Sequence, residues 1–156
     1  MTVAPHLGLL TGQDGEVVKA DFSLLTASSV LFDAVYVPDG VESIDSLLQE
    51  NESTNFVLEA YRHCKTIGAA GAGAELLRAA GLPLPAMNDG SKGQATEPGV
   101  VVGNGDIATL ATGFIEAMSL HRHWGRESTE TQTGEQPLMY DRQIRLGEVL
   151  AADERR

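Results

Sequence analysis

The stretch of this 156-residue chain whose spacing suits chemistry is KTIGAAGAGAELL, Lys65–Leu77. A short apolar strand over Thr66–Ala69 runs into small residues and then into a helical pattern over Glu75–Ala80. Several α/β enzymes hold a nucleophile on such a strand–turn–helix, because the sharp turn lifts one side chain above the sheet beside free backbone N–H groups. Here the turn is Ala69, Ala70, Gly71, Ala72 and Gly73. The frame for covalent catalysis is present and the reacting group is not.

Other motifs are weaker. Gly103–Ala108 (GNGDIA) fits a G-x-G-x-x-A turn between a strand and a helix. A dinucleotide site also needs a further strand with an acid at its tip, and here a polar stretch follows instead, so Asp106 is expected to cap a helix. GAGAEL has no third glycine, and no G-K-[ST] follows either turn. His121 and His123, two apart on an expected helix, would diverge, as would His63 and Cys64, so no metal site is expected. GSKG (Gly90–Gly93) is not a G-x-S-x-G elbow and falls in an expected loop. Cys64 precedes a strand and reads as a buried core thiol rather than a nucleophile.

The elements around the turn alternate. The expected order is a hairpin or excursion in Gly15–Leu25, a strand within Leu31–Gly40, helices over Val41–Asn51 and Ser53–Cys64, and the strand Thr66–Ala69. A short helix closed by Gly81, a loop over Ala86–Gly99, a strand Val100–Val102 and a long helix from Asp106 complete it. The run Ala34–Val37 is continuous and apolar, as for a strand covered on both faces. Ser53 or Thr54 should cap the second helix, and Ile107, Leu110, Ala111, Phe114, Ile115 and Met118 should face inward on the last. Strands alternating with helices imply an α/β layer with a parallel sheet. Residues 125–137 hold no apolar side chain but Pro137 and read as linker, and 138–156 read as a mixed-charge tail with modest helical character.

Net charge is −11, and residues 1–60 carry ten acids against Lys19 alone. Phosphate backbones and anionic lipid heads would be repelled, so no nucleic-acid or membrane partner is expected. No window has the roughly 20 apolar residues of a membrane span, and MTVAPHLGLLTG lacks a basic signal-peptide start. A single cysteine cannot form an internal disulfide, which fits a reducing, cytoplasmic setting.

Three blocks, ASSVLFDAVYVPDG, VLEAYRHCKTIGAAGAGAELL and GVVVGNGDIATLATGFIEAMSLHRHWGRE, together resemble the C-terminal domain of large-subunit haem catalases. That domain is similar to the class I glutamine amidotransferase-like superfamily, which includes PfpI-type peptidases. The resemblance implies a flavodoxin-like fold over residues 1–124, a parallel sheet with helices on both faces. It implies that a strand and helix precede Thr2–Pro5, so that the fold here would be N-terminally incomplete by roughly 30 residues, the size of a βα unit. Ala34–Val37 and Ile67–Ala69 would then each lose a neighbour. Aligning the elbow strand places Gly71 at the superfamily's cysteine, Ala72 at the histidine that often follows and Gly73 at the glycine. Gly71, Ala72 and Gly73 therefore form a degenerate nucleophile elbow, with no catalytic, cofactor-binding or metal residue in the chain. The implied role is a non-catalytic accessory domain of a peroxide-detoxifying catalase, with haem only in the associated core. The implied partners are that core or a second copy. Two alternatives remain open: a chaperone-like binding module, and a PfpI-like hydrolase using Glu75, Asp39 or His63.

Overall fold

The computed structural model describes residues 1–12, 14–84, 94–103 and 106–126, without side-chain detail at 94–96. Its centre is a four-stranded sheet made of β5 (Ala34–Val37), β6 (Thr66–Ala70), β7 (Gln94–Glu97) and β8 (Val100–Gly103), in the order β5-β6-β8-β7. β5, β6 and β8 run parallel, pairing Val35 with Ile67 and Ile67 with Val100, and β7 returns antiparallel to β8. The sheet is mixed, and the stretch expected as loop over Ala86–Gly99 ends in a strand. Gln94, Thr96 and Glu97 carry no apolar signal, yet a polar strand is stable at a sheet edge, and Gly99, at φ +75°, turns the chain from β7 into β8. Residues 85–93, including the GSKG motif, lie outside the described residues.

Helices lie on both faces. α1 (Val41–Leu48), α2 (Asn51–Arg62) and α3 (Gly73–Ala79) pack together against one face, where Ile44, Val57, Ala60, Leu76 and Leu77 meet Val37, Ile67, Ala69, Val100 and Val102 in the main core. β6 and β8 are buried along their whole length, because each is paired on both edges and covered. On the other face α4 (Ile107–Ser119) brings Leu110 and Ala117 onto Ala70 and Val101. Asp106 caps it as expected, its Oδ1 accepting the Ala108 N–H at 3.0 Å, while Asn104 and Gly105 lie outside the described residues.

Before the sheet, β1 (Val3–Ala4) pairs parallel with β4 (Phe22–Ser23), and β2 (Leu9–Thr11) with β3 (Val17–Lys19) form an antiparallel hairpin beyond them. The Gly15–Leu25 region is thus both hairpin and excursion from the main sheet.

Four expectations need correction. Ser53 and Thr54 lie inside α2 rather than capping it; the Ser53 hydroxyl donates back to the Glu50 carbonyl at 2.7 Å, because the helix starts earlier, at Asn51. β5 is the outermost strand, so Tyr36 is 45% exposed and only Val37 is buried. Strand Ile67–Ala69 keeps both neighbours, β5 and β8, and of the two strands only Ala34–Val37 lacks a neighbour among the described residues. On α4 only Leu110 is buried and Phe114 half-buried, while Ile107, Ala111, Ile115 and Met118 are exposed, since no described element flanks the helix's outer side.

Candidate functional site

Parallel strands β5 and β6 end side by side, so the turn after β5 (Pro38–Gly40) meets the turn after β6 (Gly71–Gly73) at the carboxyl edge of the sheet. That edge is where ligand and catalytic sites of open α/β folds form. Gly71 sits at the apex with φ +48°, in the left-handed region where side chains are disfavoured. Its N–H donates to the Gly103 carbonyl at 3.0 Å, tying the apex to the end of β8. Gly73 is equally confined: a Cβ there would lie 2.8 Å from the Val37 carbonyl oxygen and 2.9 Å from that of Pro38.

The space where a side chain on Gly71 would go is filled by Asp39. A Cβ built on Gly71 overlaps the Asp39 carboxylate atoms. Asp39 Oδ1 accepts the Ala72 N–H at 2.8 Å and the Gly40 N–H at 2.8 Å. The backbone N–H that follows the elbow residue, the group an acyl-transfer site would aim at an oxyanion, is therefore taken by the protein's own carboxylate. The elbow frame is closed by an acid from the neighbouring turn.

The other suspected residues do not join it. Glu75 is exposed on α3 and pairs with Arg78 at 2.5 Å. His63 is exposed at the end of α2, by the amino end of β6, the whole length of that strand from Asp39. Cys64 beside it is buried, with φ +55°. His121 and His123 fall beyond α4, which ends at Ser119; His121 is exposed at φ +64° and His123 is buried, so they do diverge. Among the described residues no three His, Cys, Asp or Glu side chains cluster as metal ligands.

At the amino end of the strands lies a polar cluster that motif searching missed. Lys65 is buried, its Nζ donating to the Ser29 and Phe32 carbonyls at 2.5 Å each. Thr66 Oγ1 and His123 Nε2 share a hydrogen bond of 3.0 Å, and the His123 N–H donates to the Cys64 carbonyl at 2.8 Å. Arg126 donates to the carbonyls of Pro98 (2.7 Å), Tyr61 (3.2 Å) and Lys65 (2.8 Å), with its guanidinium 4.5 Å from the Tyr61 ring centre. Burial lowers the pKa of Lys65, helped by Arg122 and opposed by Asp33. Burial, and then Arg126, lowers that of His123. The cluster fastens the segment after α4, including the turn Trp124–Arg126, to the root of β6. It carries the fold two residues into the stretch read as linker. The sequence signal for it was available: EAYRHCKTIGA and HRHW, far apart in the chain, are the two strings whose side chains meet here.

Residues 1–128 match the family described as the C-terminal domain found in long catalases. The chain belongs to that family. Among curated relatives, this catalase C-terminal domain is 34% identical over 126 residues to Catalase-2 of Bacillus subtilis and 37% identical over 123 residues to Catalase HPII of Mycobacterium avium. The matches cover 80% and 78% of this chain but only 16% and 17% of the relatives, so the domain spans about a sixth of their length. Its fold is shared with a ThiJ/PfpI domain protein of Brachyspira murdochii (TM-score 0.60, 15% identity, 81% of this chain and 78% of that one). It is also shared with Schizosaccharomyces pombe DJ-1 (TM-score 0.54, 18% identity, 72% and 68%).

Proposed function

We propose that this domain is a non-catalytic accessory unit of the catalase type, which packs on a haem-bearing catalase core and supports its oligomer in a peroxide-detoxifying, cytoplasmic setting. The observation that carries the non-catalytic part is Asp39: its carboxylate occupies both the side-chain space of Gly71 and the N–H of Ala72. Gly71, Ala72 and Gly73 keep the turn for its geometry, since only small residues fit between β5, β8 and α3. A hydrolase run by Glu75, Asp39 or His63 is not supported, because Glu75 is ion-paired and His63 lies at the opposite end of β6.

Haem belongs to the partner in this reading. The cleft beside β5 is about 150 Å³, well under the roughly 300–1,000 Å³ typical of ligand pockets, and does not fit such a macrocycle. What the domain offers a core is an exposed surface and a fold with a pinned base. Purified chain titrated with haem and assayed with hydrogen peroxide is expected to give no bound-haem absorbance and no turnover above blank. Haem-dependent turnover would overturn the reading.

A chaperone-like binding role has one observation in its favour, the exposed Ile107, Ile115, Met118, Leu120 and Trp124 on and after α4. It predicts suppression of a heated client's aggregation below equimolar ratio without ATP. The accessory reading predicts none.

A further inference from the structure

Three basic side chains meet at the root of β6. Lys65 belongs to it, while His123 and Arg126 arrive on the segment after α4, bonding residues 57 and 61 positions away. All three are buried, and among the described residues none is ion-paired. Arg126 Nη2 has no described hydrogen-bond partner. A buried basic group without a carboxylate is tolerated only while carbonyls take its protons or while it stays neutral. Carbonyls serve Lys65 and Arg126. His123 has the other option, a neutral ring whose Nε2 shares a hydrogen bond of 3.0 Å with Thr66 Oγ1.

The ring also sits where three parts of the fold cross. A Cβ built on Gly99 would lie 2.0 Å from its Cδ2, so the β7–β8 turn closes over it. The His123 N–H donates to the Cys64 carbonyl at 2.8 Å, and the His123 carbonyl accepts the Arg126 N–H at 3.2 Å. One residue thus holds the turn Trp124–Arg126 against both β6 and the β7–β8 turn. We propose that His123 is a proton-sensitive latch: its protonation puts a third positive charge into this cluster and releases residues 120–126 from the root of β6 while the sheet stays folded.

The surrounding groups favour a neutral ring. Arg126, on the same segment, opposes a charge there, and the Ala117 carbonyl of α4 favours one. Lys65 turns its ammonium to the Ser29 and Phe32 carbonyls, and Arg122 reaches Asp33 at 3.8 Å. Glu97 of β7 and Tyr61 of α2 act on Arg126, and the Cys64 thiol faces the Arg62 carbonyl at 3.9 Å. Glu116, His63 and His121 are exposed. Burial first, and Arg126 second, hold His123 below its ordinary value of 6.5. A released ring regains that value, so the open form takes up the proton first as pH falls, and opening becomes easier below about pH 6.5.

Amide exchange of the full chain, read residue by residue by NMR at about pH 7.5 and about pH 5.5 and corrected for the intrinsic rate, tests this. The probes are the amides of His123 and Arg126, compared with Val100–Val102 in the same molecule. The expected result is a loss of protection of about fivefold or more at both probes at the lower pH, with β8 steady. His123→Gln keeps a neutral hydrogen-bonding group beside Thr66 and should abolish the difference, whereas His121→Gln should retain it. If His123→Gln does not fold, the ring titration of His123 in the unaltered chain decides: a midpoint below 6.5 supports the latch, and one at or above 6.5 overturns it. Equal protection at the two pH values, a difference that survives in His123→Gln, or a parallel loss at β8 would each overturn the proposal.

Discussion

Gly71→Ala isolates the relation between the elbow and Asp39. The left-handed conformation of Gly71 costs a non-glycine residue about 1–2 kcal/mol. The added methyl also collides with the Asp39 carboxylate, which must leave the N–H groups of Ala72 and Gly40. A hydrogen bond to a charged group contributes about 1.5–3 kcal/mol, and Asp39 is exposed, so the lower end applies to the pair. The single substitution should therefore cost roughly 2.5–4 kcal/mol, a large part of a typical stability of about 5–15 kcal/mol. Asp39→Ala alone removes the same bonds without the clash and should cost about 1–2 kcal/mol. The double variant should fall short of the sum by about 1 kcal/mol or more, because with Asp39 gone only the backbone strain is left. Urea unfolding followed by far-ultraviolet circular dichroism of the four chains measures the cycle. A cost below about 0.5 kcal/mol for Gly71→Ala, or strict additivity with Asp39→Ala, would refute the claim that Asp39 fills the elbow.

Three further outcomes follow from the buried cluster. Because burial holds His123 below its ordinary value of 6.5, the unfolded chain binds the proton first as pH falls. The contribution of His123 to stability is complete above about pH 6.5 and declines below it, so His123→Gln should flatten the melting-temperature profile between pH 6.5 and the folded-state pKa. Arg126→Ala strands three carbonyls and removes the stacking on Tyr61, and should cost about 1–3 kcal/mol in the same urea assay. Gly99→Ala places a methyl on the His123 ring at a positive φ, and should cost about 2–4 kcal/mol while leaving the His123→Gln background less sensitive.

The parallel core was legible because Ile67–Ala69 and Val100–Val102 are short, apolar and bounded by turns, and such runs pay no attention to context once both faces are covered. The elbow was legible for the same reason: consecutive small residues between a strand and a helix permit little else. What was misread depends on neighbours. Ala34–Val37 has the composition of a covered strand, but its exposure is set by its position at the sheet's edge. The apolar residues of α4 form a stripe wider than the one the sheet receives, so periodicity alone overstated the inward face. β7 is polar and exists through its pairing with β8. No sequence signal set Lys65 and Arg126 apart, and their burial rests on backbone carbonyls at the roots of the strands, which accept all their described hydrogen bonds. Asp39 was named only as a candidate for the hydrolase alternative, and its place at Gly71 emerges only when β5 and β6 are laid side by side.

The proposed role, serving a catalase core without catalysing anything itself, has a direct test. The direct measurement is thermal inactivation of a long catalase lacking its own C-terminal domain, with and without this chain added, alongside co-sedimentation of the two. The account predicts a complex at defined stoichiometry and a longer half-life of peroxide turnover at the inactivating temperature, with haem found only in the core. Absence of co-sedimentation together with an unchanged half-life would contradict it.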